Sequence, residues 1–218
     1  MGCVDVLRQI VSTHDERGEE TSGWFRMLAR RQARRLVSDH CGPILDVGGG
    51  DGLLFDPKIS PLADVTTILD FDMKVLRDAH RHYGDKGCFV CADLTGIPFP
   101  DGMFGTSVCV GTYYNLPTAE MVQKGLCELS RVTRHGGHVL VEFRNAENPF
   151  ARLAIRYAEV YDKTLKGLPL MPYTYSQIQG MLAKAGLRII EIKTTGISIK
   201  PLIMSYVLKT THIDAEEG

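Results

Sequence analysis

The stretch Ile44-Leu45-Asp46-Val47-Gly48-Gly49-Gly50-Asp51-Gly52 is an apolar run that breaks into glycines and restarts as Leu53-Leu54-Phe55. It predicts a buried strand, a tight turn and the start of a helix. Glycine at 48, 50 and 52 lets the turn take positive φ and lets a ligand lie directly on backbone. The spacing does not make a dinucleotide fingerprint, because counting from Gly48 puts Leu53 where the third small residue belongs. A pyrophosphate here would also meet two carboxylates, Asp46 and Asp51, with no Lys or Arg in the loop. A cationic ligand suits the loop better.

Downstream the chain alternates. Asp64 to Asp70 is a β-branched run ending in an acid 24 residues past Asp46, the place from which a carboxylate accepts both ribose hydroxyls of a bound nucleoside. Asp72 is a good N-cap for the helix that follows. Gly87 to Ala92 reads as a third strand ending at Asp93-Leu94, and Ser107 to Val110 as a fourth, followed by Gly111-Thr-Tyr-Tyr-Asn-Leu-Pro117. A helix over 118–134, the turn Arg131-Val-Thr-Arg-His-Gly136-Gly137 and a strand from His138 to Phe143 complete a doubly wound α/β pattern, with ligands expected outside the carboxyl ends of the strands.

The ordered series Asp46/Gly48/Gly50/Gly52, Asp70, Asp93, Ile97-Pro-Phe-Pro-Asp-Gly-Met-Phe104 and Gly136-Gly137 resembles the class I S-adenosylmethionine-dependent methyltransferases, of the type 11 and ubiquinone-biosynthesis-like kind. The resemblance covers about residues 40–145, and 175–210 by pattern only; Gly105 departs from it where the family usually has Asp. It implies a Rossmann-like seven-stranded sheet, mostly parallel with an antiparallel last strand. It also implies S-adenosyl-L-methionine as cofactor, with Asp70 on the ribose, Phe71 against the adenine face and Asp93 on the adenine amino group. Leu94 and Gly111 complete the cofactor set with Asp46 and the three glycines. Tyr113, Tyr114 and Arg144, at strand ends, are the candidates for catalysis, with Asn115, Glu142 and Asn145 beside them. Methyl transfer from a sulfonium is an in-line displacement, so alignment and exclusion of water matter more than a dedicated base.

The acceptor is narrowed by what is missing. No Asn-Pro-Pro-Tyr follows strand four, Cys109 lacks a Pro-Cys context, and no acidic cluster offers a magnesium site. A small-molecule or lipid-like acceptor is expected, without metal. Two other readings stay open: an RNA or other macromolecule methyltransferase using the five arginines of a helix at 24–37, and a module that binds the nucleoside without transferring methyl. The first predicts salt-sensitive RNA affinity; a net charge of −1 gives it no global support, and a solvated helix face with Trp24, Leu28 and Phe25 or Met27 inward is the preferred reading.

The chain reads as one domain: N-terminal helices over 1–40, a cofactor-binding core over 41–143, a probable cap insert over 144–175, and a last helix with two strands over 176–211. Leu153, Tyr157 and Val160 or Tyr161 form the stripe of the insert helix, which is either a lid or ordinary sheet cover. Arg144, Tyr157, Tyr173 and Tyr175 would meet the acceptor if it is a lid. Ser176 is expected to cap the last helix. Six cysteines are scattered, four of them in or beside apolar segments as reduced core thiols are, and Cys88 and Cys91 read as core packing; no disulfide is expected. With no apolar run near the roughly 20 residues of a membrane span and no signal-peptide order, a cytoplasmic location is expected. The sequence leaves oligomeric state open.

Overall fold

The short runs at 44–47, 66–70 and 104–109 form strands buried on both faces, as parallel sheets covered by helices require. The computed structural model describes residues 23–39, 42–156, 170–196 and 203–213. Of the expected N-terminal helices the part before residue 23, and of the insert the stripe residues Tyr157, Val160 and Tyr161, lie outside these.

Helix α1 (Gly23–Leu36) leads into β1 (Ile44–Val47), β2 (Thr66–Asp70), α2 (Met73–Tyr83), β3 (Cys88–Cys91) and β4 (Phe104–Cys109). After these come α3 (Ala119–Val132), β5 (Thr133–Arg144), α4 (Pro149–Arg156), α5 (Tyr175–Lys184), β6 (Leu187–Gly196) and β7 (Ile203–His212). The strands make one seven-stranded sheet in the order β3-β2-β1-β4-β5-β7-β6. β1 to β5 pair in parallel, and β7 runs antiparallel to both β5 and β6. From β1 the chain winds out to β3 and then returns to β4. The carboxyl ends of β1 and β4 therefore flank the switch point, where an open α/β sheet has its crevice.

Side chains alternate across the sheet and build a core on each side. Leu45, Val47, Val139, Val141 and Phe143 pack with Leu126 and Leu129 of α3 and Ile178 and Leu182 of α5. Ile44, Val108, Leu140 and Val207 pack with Ala29, Ala33 and Leu36 of α1. The described inward side of α1 is thus built on two alanines that let the helix lie close, while Met27 stays 54% exposed and is excluded from the expected stripe; the side chains of Trp24 and Phe25 lie outside those described. Period-two alternation puts Asp46, Glu142 and Arg144 on the α1 face.

Three local expectations change. No α-helix follows the glycine loop: Leu53–Phe55 and Pro61–Val65 are single 3-10 turns, because Pro57 and Pro61 interrupt any longer helix. The last helix is capped by Thr174, not Ser176, in a reciprocal capping box with Gln177. Cys88 and Cys91 are exposed on the edge strand β3, as is Cys127 on α3, and of the cysteines described only Cys109 is a core thiol. The loop 97–104 is pinned as the sequence pattern requires. Arg131 reaches Glu128, Asp101 and the carbonyls of Ile97 and Phe99 at 2.7–2.9 Å, and Glu128 accepts the Ile97 amide at 2.7 Å. Among the described residues no helix is long and apolar enough to cross a membrane.

Candidate cofactor and acceptor site

The glycine loop turns at the carboxyl end of β1 because Gly48, Gly50 and Gly52 all have positive φ, at 67°, 55° and 75°. The three do different work. A Cβ on Gly48 would lie 2.2 Å from Thr112 Oγ1, and one on Gly52 would lie 2.6 Å from Tyr83 Cε2, so both are fixed by protein packing. A Cβ on Gly50 would meet nothing closer than 3.8 Å. The backbone at Gly50 faces open space, which is the cradle a ligand needs.

Two acids frame this space. Asp70 is buried and accepts the Gly50 amide on Oδ2 and the Asp72 amide on Oδ1, each at 3.0 Å. Burial raises its pKa and these amides pull it back. Asp46 lies beneath Gly49; it is 2% exposed, and its Oδ2 has no hydrogen-bond partner. Burial pushes its carboxyl up to about 7, against the pull of the Arg30 guanidinium. An orphaned buried carboxylate oxygen beside an open backbone cradle fits a cationic ligand.

Arg30 is the residue that sequence reasoning missed. It comes from α1 to pair with Asp51 at 2.9 Å, while Arg34 donates to the carbonyls of Leu53 and Leu54 at 3.3 and 3.4 Å. The loop therefore does have a cation at hand, and the expectation of a purely acidic surrounding is corrected. A spacing of 16–21 residues between a helix arginine and a loop acid gives no local signal; only the packing of α1 creates it.

Asp70, Phe71, Asp93 and Leu94, the residues expected at the nucleoside, stand together at the carboxyl ends of β2 and β3. Phe71 is 37% exposed at the end of β2. Asp93 is exposed and accepts the Thr95 amide at 2.7 Å. Leu94 is buried, with its side chain against Gly125, so only its backbone is left for a ligand.

At the other end, Gly111 donates its amide to Glu142 Oε2 at 2.9 Å, and a Cβ on it would meet only Tyr114 Oη, at 3.9 Å. Burial raises the Glu142 pKa, while the charge of Arg144, the Ser205 hydroxyl and the Gly111 amide act the other way. The Arg144 guanidinium lies 4.2 Å over the Tyr114 ring, a cation–π contact. Asn115 Oδ1 is buried without a partner. Tyr113 does not join them. The 3-10 turn Tyr113–Asn115 sends it into the core, fully buried and stacked on Phe143 at 5.2 Å and 5°, and burial holds its phenol well above the ordinary range. Its expected catalytic place is withdrawn on that ground. Tyr173 is likewise core, edge-on to Phe143, and Tyr175 packs beside Tyr206. Asn145 also faces inward, its side chain on the Ile203 carbonyl at 3.0 Å.

Residues 45–141 match the family model described as "Methyltransferase domain". A demethylmenaquinone methyltransferase of Renibacterium salmoninarum is 33% identical over 144 residues, 63% of this chain and 59% of that protein. A ubiquinone/menaquinone biosynthesis C-methyltransferase of Hahella chejuensis is 33% identical over 159 residues, 66% of this chain and 60% of that protein. The chain thus spans about three fifths of the length of these relatives. Among solved structures, a SAM-dependent methyltransferase from Thermotoga maritima superposes with TM-score 0.66 at 15% identity, covering 96% of this chain and 99% of that one. Magnesium protoporphyrin IX methyltransferase from Synechocystis, with bound SAH, gives 0.65 at 16% identity, covering 96% and 94%. Residues 45–141 are thus similar to a methyltransferase domain, and the sheet order is that of a Rossmann-like fold shared with solved S-adenosylmethionine-dependent methyltransferases.

Proposed function

We propose that the chain transfers a methyl group from S-adenosylmethionine to a small, lipid-like acceptor. The observation that carries the reading is the open backbone at Gly50 between Asp70 and the orphaned Asp46 oxygen, at the switch point of the sheet. Asp70 would hold the ribose hydroxyls, Phe71, Asp93 and the Leu94 backbone the adenine, and the glycine loop with Asp46 and Gly111 the amino-acid part. That part carries a carboxylate as well as an ammonium, and Arg30 is the guanidinium within reach of the loop to meet it. When bound, the cofactor supplies a methyl group already activated by a sulfonium charge.

Tyr114 and Arg144 stand at the acceptor end. A guanidinium there favours the ionised form of an acceptor phenol or enol, so an acidic hydroxyl or its ortho carbon becomes nucleophilic without a separate strong base. Relatives named for demethylmenaquinone and for ubiquinone and menaquinone biosynthesis support an acceptor of this class. Cys109 is buried with its pKa raised by burial and is no thiolate nucleophile. Among the described residues no cluster of three metal-ligating side chains occurs. A cytoplasmic location is part of the proposal, checked by cell fractionation.

The RNA reading has less to stand on, since Arg30 and Arg34 are engaged with the loop, and of the helix arginines whose side chains are described only Arg31 and Arg35 are exposed. Calorimetry with S-adenosylmethionine, NAD and ATP tests the cofactor half. One site for S-adenosylmethionine and far weaker binding of the other two is expected; tighter NAD binding would overturn the reading.

A further inference from the structure

α4 leaves the acceptor end of the sheet with its outward half bare. Phe150 is 64% exposed and Leu153 54%, and Arg152 and Arg156 are exposed beside them. At about 100° per residue these four fill one continuous half of the helix, the guanidiniums on one flank and the apolar groups on the other. The helix PFARLAIR contains no acid, and neither guanidinium has an ion pair or side-chain hydrogen bond among the described residues. Its root is held in place. Asn148 O accepts the Arg152 amide at 3.0 Å, and the side chains of Asn145 and Asn148 both donate to Ile203 O, at 3.0 and 3.1 Å.

We propose that this arc of α4 docks the protein on an anionic phospholipid bilayer, from which the site beside it takes a lipid-soluble acceptor. The second half of that statement rests on the lipid-like acceptor proposed above. The match is one of charge and depth. Guanidiniums pair with lipid phosphates at the headgroup level while Phe and Leu enter the acyl boundary, as in helices that lie in the membrane interface. A second copy of this chain, joined by a twofold axis through the helix, would set arginine against arginine. A nucleic acid would satisfy the guanidiniums and leave Leu153 without a partner. Since the whole chain carries a net charge of −1, attraction to an anionic surface has to be local, and this helix supplies it.

Sedimentation of the full chain with vesicles tests the proposal, using phosphatidylcholine alone and an equimolar mixture with phosphatidylglycerol. The protein should sediment with the mixed vesicles only and be released by salt. Arg152→Gln with Arg156→Gln should lower partitioning by about fivefold per guanidinium, and Phe150→Glu with Leu153→Glu by at least tenfold. Circular dichroism and S-adenosylmethionine affinity should not change in either pair. Absence of binding to mixed vesicles at low salt, equal binding to neutral ones, or binding that survives both pairs would overturn it. So would a concentration-dependent dimer, seen by light scattering, that the glutamate pair abolishes. Failure of S-adenosylmethionine to bind in calorimetry would remove the methyl-transfer reading and leave the vesicle result to stand by itself.

Discussion

At the scale of single residues, Asp46 is the group whose position is hardest to explain by packing alone. An acid whose folded pKa is pushed up to about 7 from an unfolded value near 3.9 binds more protons folded than unfolded between those values. Its effect on stability is therefore favourable below this window and is lost as pH rises through it. Ligand-free protein should lose thermal stability between pH 5 and pH 8, and Asp46→Asn should lose less across the same interval. Equal losses, compared by calorimetric scans, would show that Asp46 titrates normally. Asp46→Asn should also weaken binding of the cationic cofactor above pH 7. The glycines separate in the same way. Gly52→Ala adds a clash with Tyr83 to the strain of positive φ and should cost roughly 2–4 kcal/mol of stability. Gly50→Ala carries only the strain, about 1 kcal/mol, so it should fold while losing cofactor affinity. Arg144→Ala should lower turnover about 100-fold with S-adenosylmethionine affinity kept; parallel losses of both would make Arg144 a structural residue. That Tyr114 meets Arg144 and Tyr113 does not was beyond the sequence, because two adjacent tyrosines in a strand-end loop carry no mark of which one the following turn sends inward.

At the scale of elements, the glycine loop is held from two sides. Asp70 fixes it from β2 through the Gly50 amide, and α1 fixes it through Arg30 and Arg34. Asp70→Ala should therefore weaken cofactor binding by roughly 1.5–3 kcal/mol and also loosen the loop, seen as faster amide exchange at Gly50. Arg131 makes a matching anchor at the opposite end of the sheet. Arg131→Ala should lower stability by about 1–2 kcal/mol, since its side chain is partly exposed, with cofactor affinity unchanged; an equal loss in both would place the 97–104 loop in the site. The positions of the strands and of α2, α3 and α5 were legible because hydrophobic period and turn residues mark them, although the cap of α5 is Thr174 and not Ser176. The helix after the glycine loop was not, because Asp56-Pro57 and Pro61 override an apolar start, and the inward place of Ala29 and Ala33 on α1 was not, because alanine is silent on any hydrophobic scale yet sets the closest approach. Cys88 and Cys91 misled for a related reason: an apolar strand reads as buried, but its place at the edge of the sheet is a property of topology.

At the scale of the whole molecule, the switch point between β1 and β4 puts the glycine loop, Asp70, Gly111 and Arg144 at the carboxyl ends of strands of one sheet although they are spread from 48 to 144 in the chain. The side proposed for the nucleoside could be read from acids at strand ends. The side proposed for the acceptor could not, because it is assembled from the β4 loop, β5 and the return of the chain at Met171 and Tyr173, whose amides donate to the carbonyls of Tyr114 and Arg144 at 2.9 Å. The most direct test follows the methyl group itself. S-adenosylmethionine labelled in its methyl is incubated with the protein and a lipid extract, and label is counted in the organic phase. The account predicts protein-dependent transfer into an organic-soluble product, strongly reduced in Asp70→Ala and Arg144→Ala; donor bound by the protein with no label leaving it for any acceptor would contradict it.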